Sequence, residues 1–180
     1  PYTLGIIYEN LGQRDQAIAN YKKAIEIDRN YVKPLINLGK LFDDAGLPDE
    51  AIPYLTKAYA LAPNAYDVNN NLGIVYSHKK MYTEAIEHLS KAVALDPSDT
   101  TARFALGLVY VETGRDFEAK KVFAEILAIK DTHWDAYYHY GKLLIKEGDI
   151  ANAKKILSEL ISKNPNYEKR SEVEQILQGL

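Results

Sequence analysis

Residues 32–65 have the sequence VKPLINLGKLFDDAGLPDEAIPYLTKAYALAPNA, and this stretch is the most informative about the fold. Its first half places Leu35 and Leu38 at helical spacing, and its second half does the same with Ala51 and Leu55. A glycine and a proline between the halves are typical of a helix stop followed by a helix start. The stretch therefore predicts two amphipathic helices joined by a short turn.

Glycine and alanine recur through the chain at the period of this stretch. The glycines are 34 residues apart and are Gly5, Gly39, Gly73, Gly107 and Gly141. The alanines keep the same step and are Ala17, Ala51, Ala85, Ala119 and Ala153. A period of this length indicates a stack of copies of one small unit, and such stacks offer a long surface to a partner.

Each of these glycines falls inside the first predicted helix of a unit, where glycine costs about 1 kcal/mol relative to alanine. We interpret the glycine as the position where the two helices of a unit approach closely. We expect the alanine twelve residues later to be the small residue that faces it.

Glycine also marks the predicted turns between the two helices. Gly12, Gly46, Gly114 and Gly148 stand at equivalent helix stops. The third unit has Lys80 at this position, so we expect its turn to accommodate the backbone in another way.

The unit resembles the tetratricopeptide repeat, a helix-turn-helix unit of 34 residues. The resemblance rests on a leucine-glycine pair, an aromatic residue, two alanines and a proline, here Leu38, Gly39, Phe42, Ala51, Ala58 and Pro63. It implies an all-α fold, a right-handed α-solenoid of antiparallel helix pairs. It also implies one domain over residues 1–180, with repeats at about 1–31, 32–65, 66–99, 100–133 and 134–167 and a capping helix over 168–180.

The two ends of the predicted stack differ. The last helix has an apolar side that includes Val173 and Ile176, and its other sides are polar, as a cap requires. Nothing polar precedes Leu4, Ile7 and Tyr8 in the first helix. We therefore expect the chain to be part of a longer protein with further repeats before it, or this end to be covered by another molecule.

Composition excludes several classes of function. The net charge is −3, without the basic excess that a phosphate backbone demands, so nucleic acid is not expected as a partner. No apolar run approaches the roughly 18 to 20 residues of a membrane span, so membrane insertion is not expected. The chain has no cysteine, which excludes disulfides and leaves the compartment open, with the cytoplasm slightly favoured.

No pattern of catalytic residues is present. His133, Asp135 and His139 are close in sequence, but the two histidines are six residues apart and point to different sides of a helix. We therefore expect no metal and no cofactor. Glycine-rich phosphate loops and nucleophile elbows are also absent, so the chain is not expected to be an enzyme.

By the resemblance, partners lie along an inner wall made mainly by the first helices. The inner positions that differ between repeats are the candidate partner-binding residues Asn37, Lys40, Asn71, Ile74, Phe104, Leu108, Tyr138, His139 and Lys142. The two asparagine amides suit the main chain of an extended peptide. Alternatively, they bond neighbouring helices or water, and Phe104 packs between adjacent first helices.

The sequence therefore predicts a non-catalytic scaffold that binds a protein or peptide in a concave groove. One alternative is a structural module that associates with itself through its amino-terminal end or its groove. Another is the helical arm of a larger enzyme.

Overall fold

A computed structural model describes all residues, 1–180, and contains eleven helices without strands. The residues of the chain separate into two compact units, residues 1–97 and residues 98–180. The predicted all-helical fold is therefore confirmed, whereas the expected single domain stays a prediction.

Unit 1, residues 1–97, contains three helix pairs. The helices are α1 (Tyr2–Asn10), α2 (Arg14–Ile27), α3 (Val32–Asp44), α4 (Pro48–Leu61), α5 (Tyr66–His78) and α6 (Tyr82–Leu95). Odd-numbered helices are the first helices of their repeats, and even-numbered ones are the second. Each second helix also packs against the next first helix, α2 against α3 and α4 against α5. Buried side chains cluster where α1, α2 and α3 meet and again where α3, α4 and α5 meet, and the half-buried Phe42 and Tyr54 pack against both clusters.

Unit 2, residues 98–180, contains two helix pairs and a final single helix. These are α7 (Thr100–Glu112), α8 (Asp116–Ile129), α9 (Trp134–Glu147), α10 (Ile150–Lys163) and α11 (Arg170–Gly179). The final helix packs on α10 and buries Val173 completely, with Ile176 and Leu177 half-buried beside it. It has the apolar side that the sequence predicts for a cap.

The residue that faces each framework glycine is large. A Cβ atom built on any of the five glycines would lie between 2.4 and 2.7 Å from a side-chain atom of the residue sixteen positions later. Those facing residues are Tyr21, Leu55, Leu89, Phe123 and Leu157. The expectation of a facing alanine is wrong. Ala17 instead belongs to a buried cluster with Leu38 and Leu41, so it helps to pack the next repeat.

The glycine therefore makes room for a bulky side chain from the second helix. Each of the five facing side chains is fully buried, and burying such a group contributes about 1.5 to 3 kcal/mol. This contribution exceeds the helix penalty of about 1 kcal/mol that the glycine carries.

The four turn glycines have φ between 70° and 88°, the left-handed conformation that ends a helix. Lys80 has φ 58° and is the one non-glycine residue with positive φ. We expected the turn of the third repeat to accommodate the backbone in another way, and this is wrong. Lys80 adopts the same left-handed conformation as the glycines of the other turns. A non-glycine residue there carries a backbone cost of roughly 1 to 2 kcal/mol.

We predict that Gly73→Ala lowers the free energy of unfolding by about 1 to 2 kcal/mol, because its Cβ would lie 2.5 Å from Cγ of Leu89. In a Leu89→Ala background, the same substitution should cost less, because the obstructing Cγ and Cδ2 atoms are gone and the main-chain nitrogen of residue 89 remains close, at 3.1 Å. Urea denaturation of the two single variants and the double variant measures this coupling. Additive effects would contradict the assigned contact.

We predict that Lys80→Gly raises the free energy of unfolding by about 0.5 kcal/mol or more, because glycine adopts positive φ without a Cβ penalty. Lys80→Ala is the control, since alanine keeps the penalty and should change stability little. Thermal and urea denaturation measure both variants. Equal stabilisation by alanine and glycine would show that the lysine side chain, and not the strained backbone, destabilises this turn.

Candidate partner-binding surface

In unit 1, polar contacts join the first helices of successive repeats. Lys40 Nζ lies 3.9 Å from Glu9 Oε1, which links α3 to α1. His78 Nδ1 lies 2.9 Å from both carboxylate oxygens of Asp43, which links α5 to α3. The three first helices therefore present one surface, which we call the unit 1 face and define by Asn37, Lys40, Asn71 and Ile74.

Asn37 is fixed on this face by a short hydrogen-bonded chain. Its Nδ2 donates to the Tyr21 hydroxyl at 3.0 Å, and that hydroxyl donates to Glu9 Oε2 at 2.6 Å. Burial of Tyr21, and next its bond to Glu9, raise the pKa of the phenol, so it stays a donor. The half-buried amide of Asn37 also has a side-chain hydrogen bond with the Tyr2 phenol of α1, and no hydrogen bond to its Oδ1 is present within the chain.

Asn71 occupies the equivalent position one repeat further along, but its amide has a different partner. Its Nδ2 donates to the main-chain oxygen of Asp67 at 2.7 Å, within the same helix. Its Oδ1 also has no partner within the chain. Both amides thus bond their own chain through the donor group and leave the acceptor open. Asn37 bonds a neighbouring helix, as the alternative interpretation expects, whereas Asn71 bonds its own helix.

The other two residues of the unit 1 face differ in exposure. Lys40 is about half exposed and also lies 3.4 Å from Asp44 Oδ2, one helical turn away. Ile74 is half-buried. The face therefore combines open amide acceptors with a surface cation and a partly exposed apolar side chain.

In unit 2, the predicted residues Phe104, Leu108, His139 and Lys142 form a second surface, which we call the unit 2 face. Phe104 and Leu108 are half-buried against the cluster around Phe123. The Phe104 ring centre lies 5.7 Å from that of Phe123 and 4.7 Å from that of His133. Phe104 therefore belongs partly to the core, and its truncation would affect stability as well as any contact.

His139 is enclosed by aromatic rings. It stacks on Phe123 at 5.4 Å with an interplanar angle of 19°, and meets Tyr138 edge-on at 5.2 Å. Burial lowers the pKa of His139, and the positive charge of Lys169 adds to the effect. Burial likewise lowers the pKa of nearby His133. Both imidazoles are consequently neutral around pH 7.

Tyr138 does not lie open on the face. Its side chain is 5% exposed, and its hydroxyl donates to Glu172 of α11. Lys142 Nζ donates to the same hydroxyl at 3.1 Å and remains half exposed. The family resemblance implied that Tyr138 lies on the open inner wall, but α11 covers it. Lys142 is the most exposed of the predicted unit 2 residues.

A third surface, around Phe117, was missed by sequence reasoning. Phe117 is 75% exposed and borders a cavity of about 260 Å³ between α8 and α9, with Leu143 also in its lining. Ion pairs cross this cleft from Lys120 to Glu147 and from Lys146 to Asp116. The available signal was the phenylalanine itself, because the other repeats have Asp15, Asp49, Thr83 and Ala151 at this position.

The described side chains include no group of three or more histidine, aspartate or glutamate residues placed to hold a metal ion. No helix combines the length and apolarity needed to cross a membrane.

Comparisons with known families and structures agree with this geometry. Three tetratricopeptide repeat family models match the chain. One matches residues 2–46, another matches residues 36–100, and the third matches twice, at residues 77–132 and 118–177. The chain belongs to the tetratricopeptide repeat family. Its helices are therefore five such repeats followed by a terminal helix, as the sequence predicts.

Solved structures of this family superpose on most of the chain. The crystal structure of MamA is 30% identical, with 92% of this chain and 97% of MamA covered and a TM-score of 0.83. YrrB, described as a TPR protein with an unusual peptide-binding site, is 24% identical, with coverages of 97% and 90% and a TM-score of 0.78. PilF of Pseudomonas aeruginosa is 23% identical, with coverages of 99% and 89% and a TM-score of 0.82.

No curated protein sequence is a significant match. Proteins of the tetratricopeptide repeat fold typically mediate protein–protein interaction and generally are non-catalytic scaffolds.

We predict that the protein loses stability as the pH falls from about 7.5 to about 5.5. The pKa values of His139 and His133 are lowered in the folded state, so folding favours the neutral imidazoles. The stabilisation that they provide is present above the pKa of unfolded histidine, near 6.5, and is lost as the pH falls below it through the lowered values of the folded state. Thermal unfolding across this range measures the effect. His139→Phe keeps a ring in the stack but cannot be protonated, so it should flatten the pH dependence. If the melting temperature of this variant falls with pH as steeply as that of the wild-type protein, His139 is not the titrating group.

Proposed function

We propose that this protein is a non-catalytic scaffold that binds an extended peptide segment of a partner on the unit 1 face. One observation carries the proposal. Asn37 and Asn71, on successive first helices, both have the amide donor engaged within the chain and the Oδ1 acceptor open.

An extended peptide presents main-chain N–H groups that need acceptors when they leave water. Two amide oxygens at equivalent places of neighbouring repeats provide such acceptors without reading the peptide's side chains. Because the donor bonds already orient both amides, little side-chain entropy is lost on binding. The main ordering cost therefore falls on the peptide.

The neighbouring residues supply the remaining contacts. Lys40 offers a charge to an acidic side chain or terminal carboxylate, although its pairs with Glu9 and Asp44 compete for it. Ile74 offers a small apolar contact beside Asn71. This combination favours a peptide with mixed acidic and apolar side chains.

The unit 2 face supports the same type of function with a different chemistry. Leu108 and Phe104 leave apolar surface partly exposed, and Lys142 provides an exposed ammonium group. Aromatic and apolar groups at a partly exposed surface are typical anchors in protein interfaces. The description of YrrB as a TPR protein with a peptide-binding site, although that structure is under 25% identical, is consistent with peptide recognition on this fold.

We predict that Asn71→Ala weakens the binding of peptides selected against the protein from a random display library by about fivefold to thirtyfold, because a main-chain N–H loses its acceptor. Isothermal titration or fluorescence anisotropy with the selected peptides measures the change. Asn71 is partly exposed, so the melting temperature should change little.

Asn20→Ala is the matched control. Asn20 also donates its Nδ2 to the main-chain oxygen four residues earlier, at 2.9 Å, but it lies on the second helix α2. Its removal should leave peptide affinity unchanged. Equal losses in both variants, or none in either, would show that the unit 1 face is not the binding surface.

A further inference from the structure

A cleft between α8 and α9 of unit 2 combines a projecting aromatic side chain with a cavity beside it. Phe117 of α8 is 75% exposed and borders the cavity of about 260 Å³. Leu143 of α9 also lines this cavity and is 7% exposed. We call this surface the α8–α9 cleft and define it by the residues that line it, Asp116, Phe117, Lys120, Leu143, Lys146 and Glu147.

The repeat register explains why a cavity forms at this place. The positions equivalent to Lys120 carry isoleucine in the first three repeats, namely Ile18, Ile52 and Ile86. Ile18 packs with Leu41, the counterpart of Leu143, in one apolar cluster of unit 1. In the fourth repeat, Lys120 pairs with Glu147 instead, so the space that isoleucine would fill beside Leu143 remains a cavity.

Charged side chains of both signs surround the cleft, and their charges sum to zero. Lys120 pairs with Glu147, and Lys146 pairs with Asp116, so each ion pair joins α8 to α9. Lys146 and Glu147 are more than half exposed. Exposed ion pairs contribute little to stability, so these groups can exchange partners at small cost. Each helix contributes one ammonium group and one carboxylate, so a copy of the same surface offers every charge a partner of opposite sign.

We propose that the α8–α9 cleft is a self-association surface and that its partner is a second copy of this chain. Phe117 of each copy enters the cavity beside Leu143 of the other copy. In a two-fold symmetric interface the same patch serves both copies, so that patch must carry the projecting group as well as the recess. The α8–α9 cleft carries both. It is separate from the unit 1 face, and this inference goes beyond the proposed peptide binding.

A second copy suits this surface better than an unrelated partner. An unrelated protein would need a recess for Phe117, an apolar group for the cavity and charges of both signs in a matching arrangement. A second copy supplies all three by symmetry. A phenylalanine side chain buries roughly 150 to 250 Å². Two such rings bury less than the roughly 800 Å² on each partner of a stable complex, so we expect a weak and reversible dimer.

Sedimentation equilibrium of the 180-residue protein, from about 10 μM to about 1 mM, tests the inference. The wild-type protein should show a reversible equilibrium between monomer and dimer. Phe117→Ser should raise the dissociation constant about tenfold or more, because both copies lose the inserted ring. Ile27→Ser is the matched control, since Ile27 is also 75% exposed but lies on α2, and it should leave the dissociation constant unchanged. Circular dichroism checks that both variants fold.

Paired charge variants test whether the partner is a copy of the same cleft. Lys120→Glu with Lys146→Glu makes the charged groups of the cleft wholly acidic, and Asp116→Lys with Glu147→Lys makes them wholly basic. Each double variant should stay monomeric by itself, because like charges face each other across the two-fold axis. An equimolar mixture of the two should form a heterodimer.

Three results would overturn the proposal. They are a wild-type protein that stays monomeric at every concentration, a dimer that Phe117→Ser leaves intact, or a mixture of the charge variants that stays monomeric. The first would leave an unrelated protein as the occupant of the cleft, and the second would move self-association to another surface. Asn71→Ala should leave the dimer unchanged, so failure here is distinguishable from failure of the peptide-binding proposal.

Discussion

The contact between a glycine of the first helix and a bulky residue sixteen positions later is the constraint on which the structure depends. A Cβ at the glycine would overlap the facing side chain in all five repeats. The close approach that results buries Leu55, Leu89 and their counterparts completely. A repeat of one small unit stays stable only if each copy keeps this contact and passes an apolar surface to its neighbour. The fixed 34-residue spacing follows from that requirement.

This constraint separates scaffold from function. Glycines, facing residues and alanines are committed to packing, so they repeat. The side of the first helices that carries the predicted partner-binding residues is free to vary, and there the two units differ. The unit 1 face carries Asn37 and Asn71 with open acceptors, whereas the unit 2 face carries aromatic side chains and Lys142. Each face thus supports its own contacts with a partner.

Much of the fold was predictable because the period fixes which positions are equivalent, and equivalent positions share their backbone environment. The period does not give side-chain directions across a helix pair, so the partner of each glycine was misassigned to the alanine. Nor does it reveal that Lys80 adopts positive φ, in a turn closed by main-chain hydrogen bonds from Lys80 N to Ser77 O and from Met81 N to Tyr76 O. Tyr138 was placed on an open surface because cover by α11 depends on a tertiary contact with Glu172. Phe117 was not predicted because it lies on a second helix, outside the wall that the family resemblance implies.

We expect partners to contact the variable side of the first helices. Nuclear magnetic resonance of the side-chain amides tests it most directly, because Asn37 and Asn71 report from that side and Asn20 and Asn152 report from second helices. Addition of a display-selected peptide should shift the amide signals of Asn37 and Asn71 and leave those of Asn20 and Asn152 in place. Shifts confined to Asn20 and Asn152 would contradict the account.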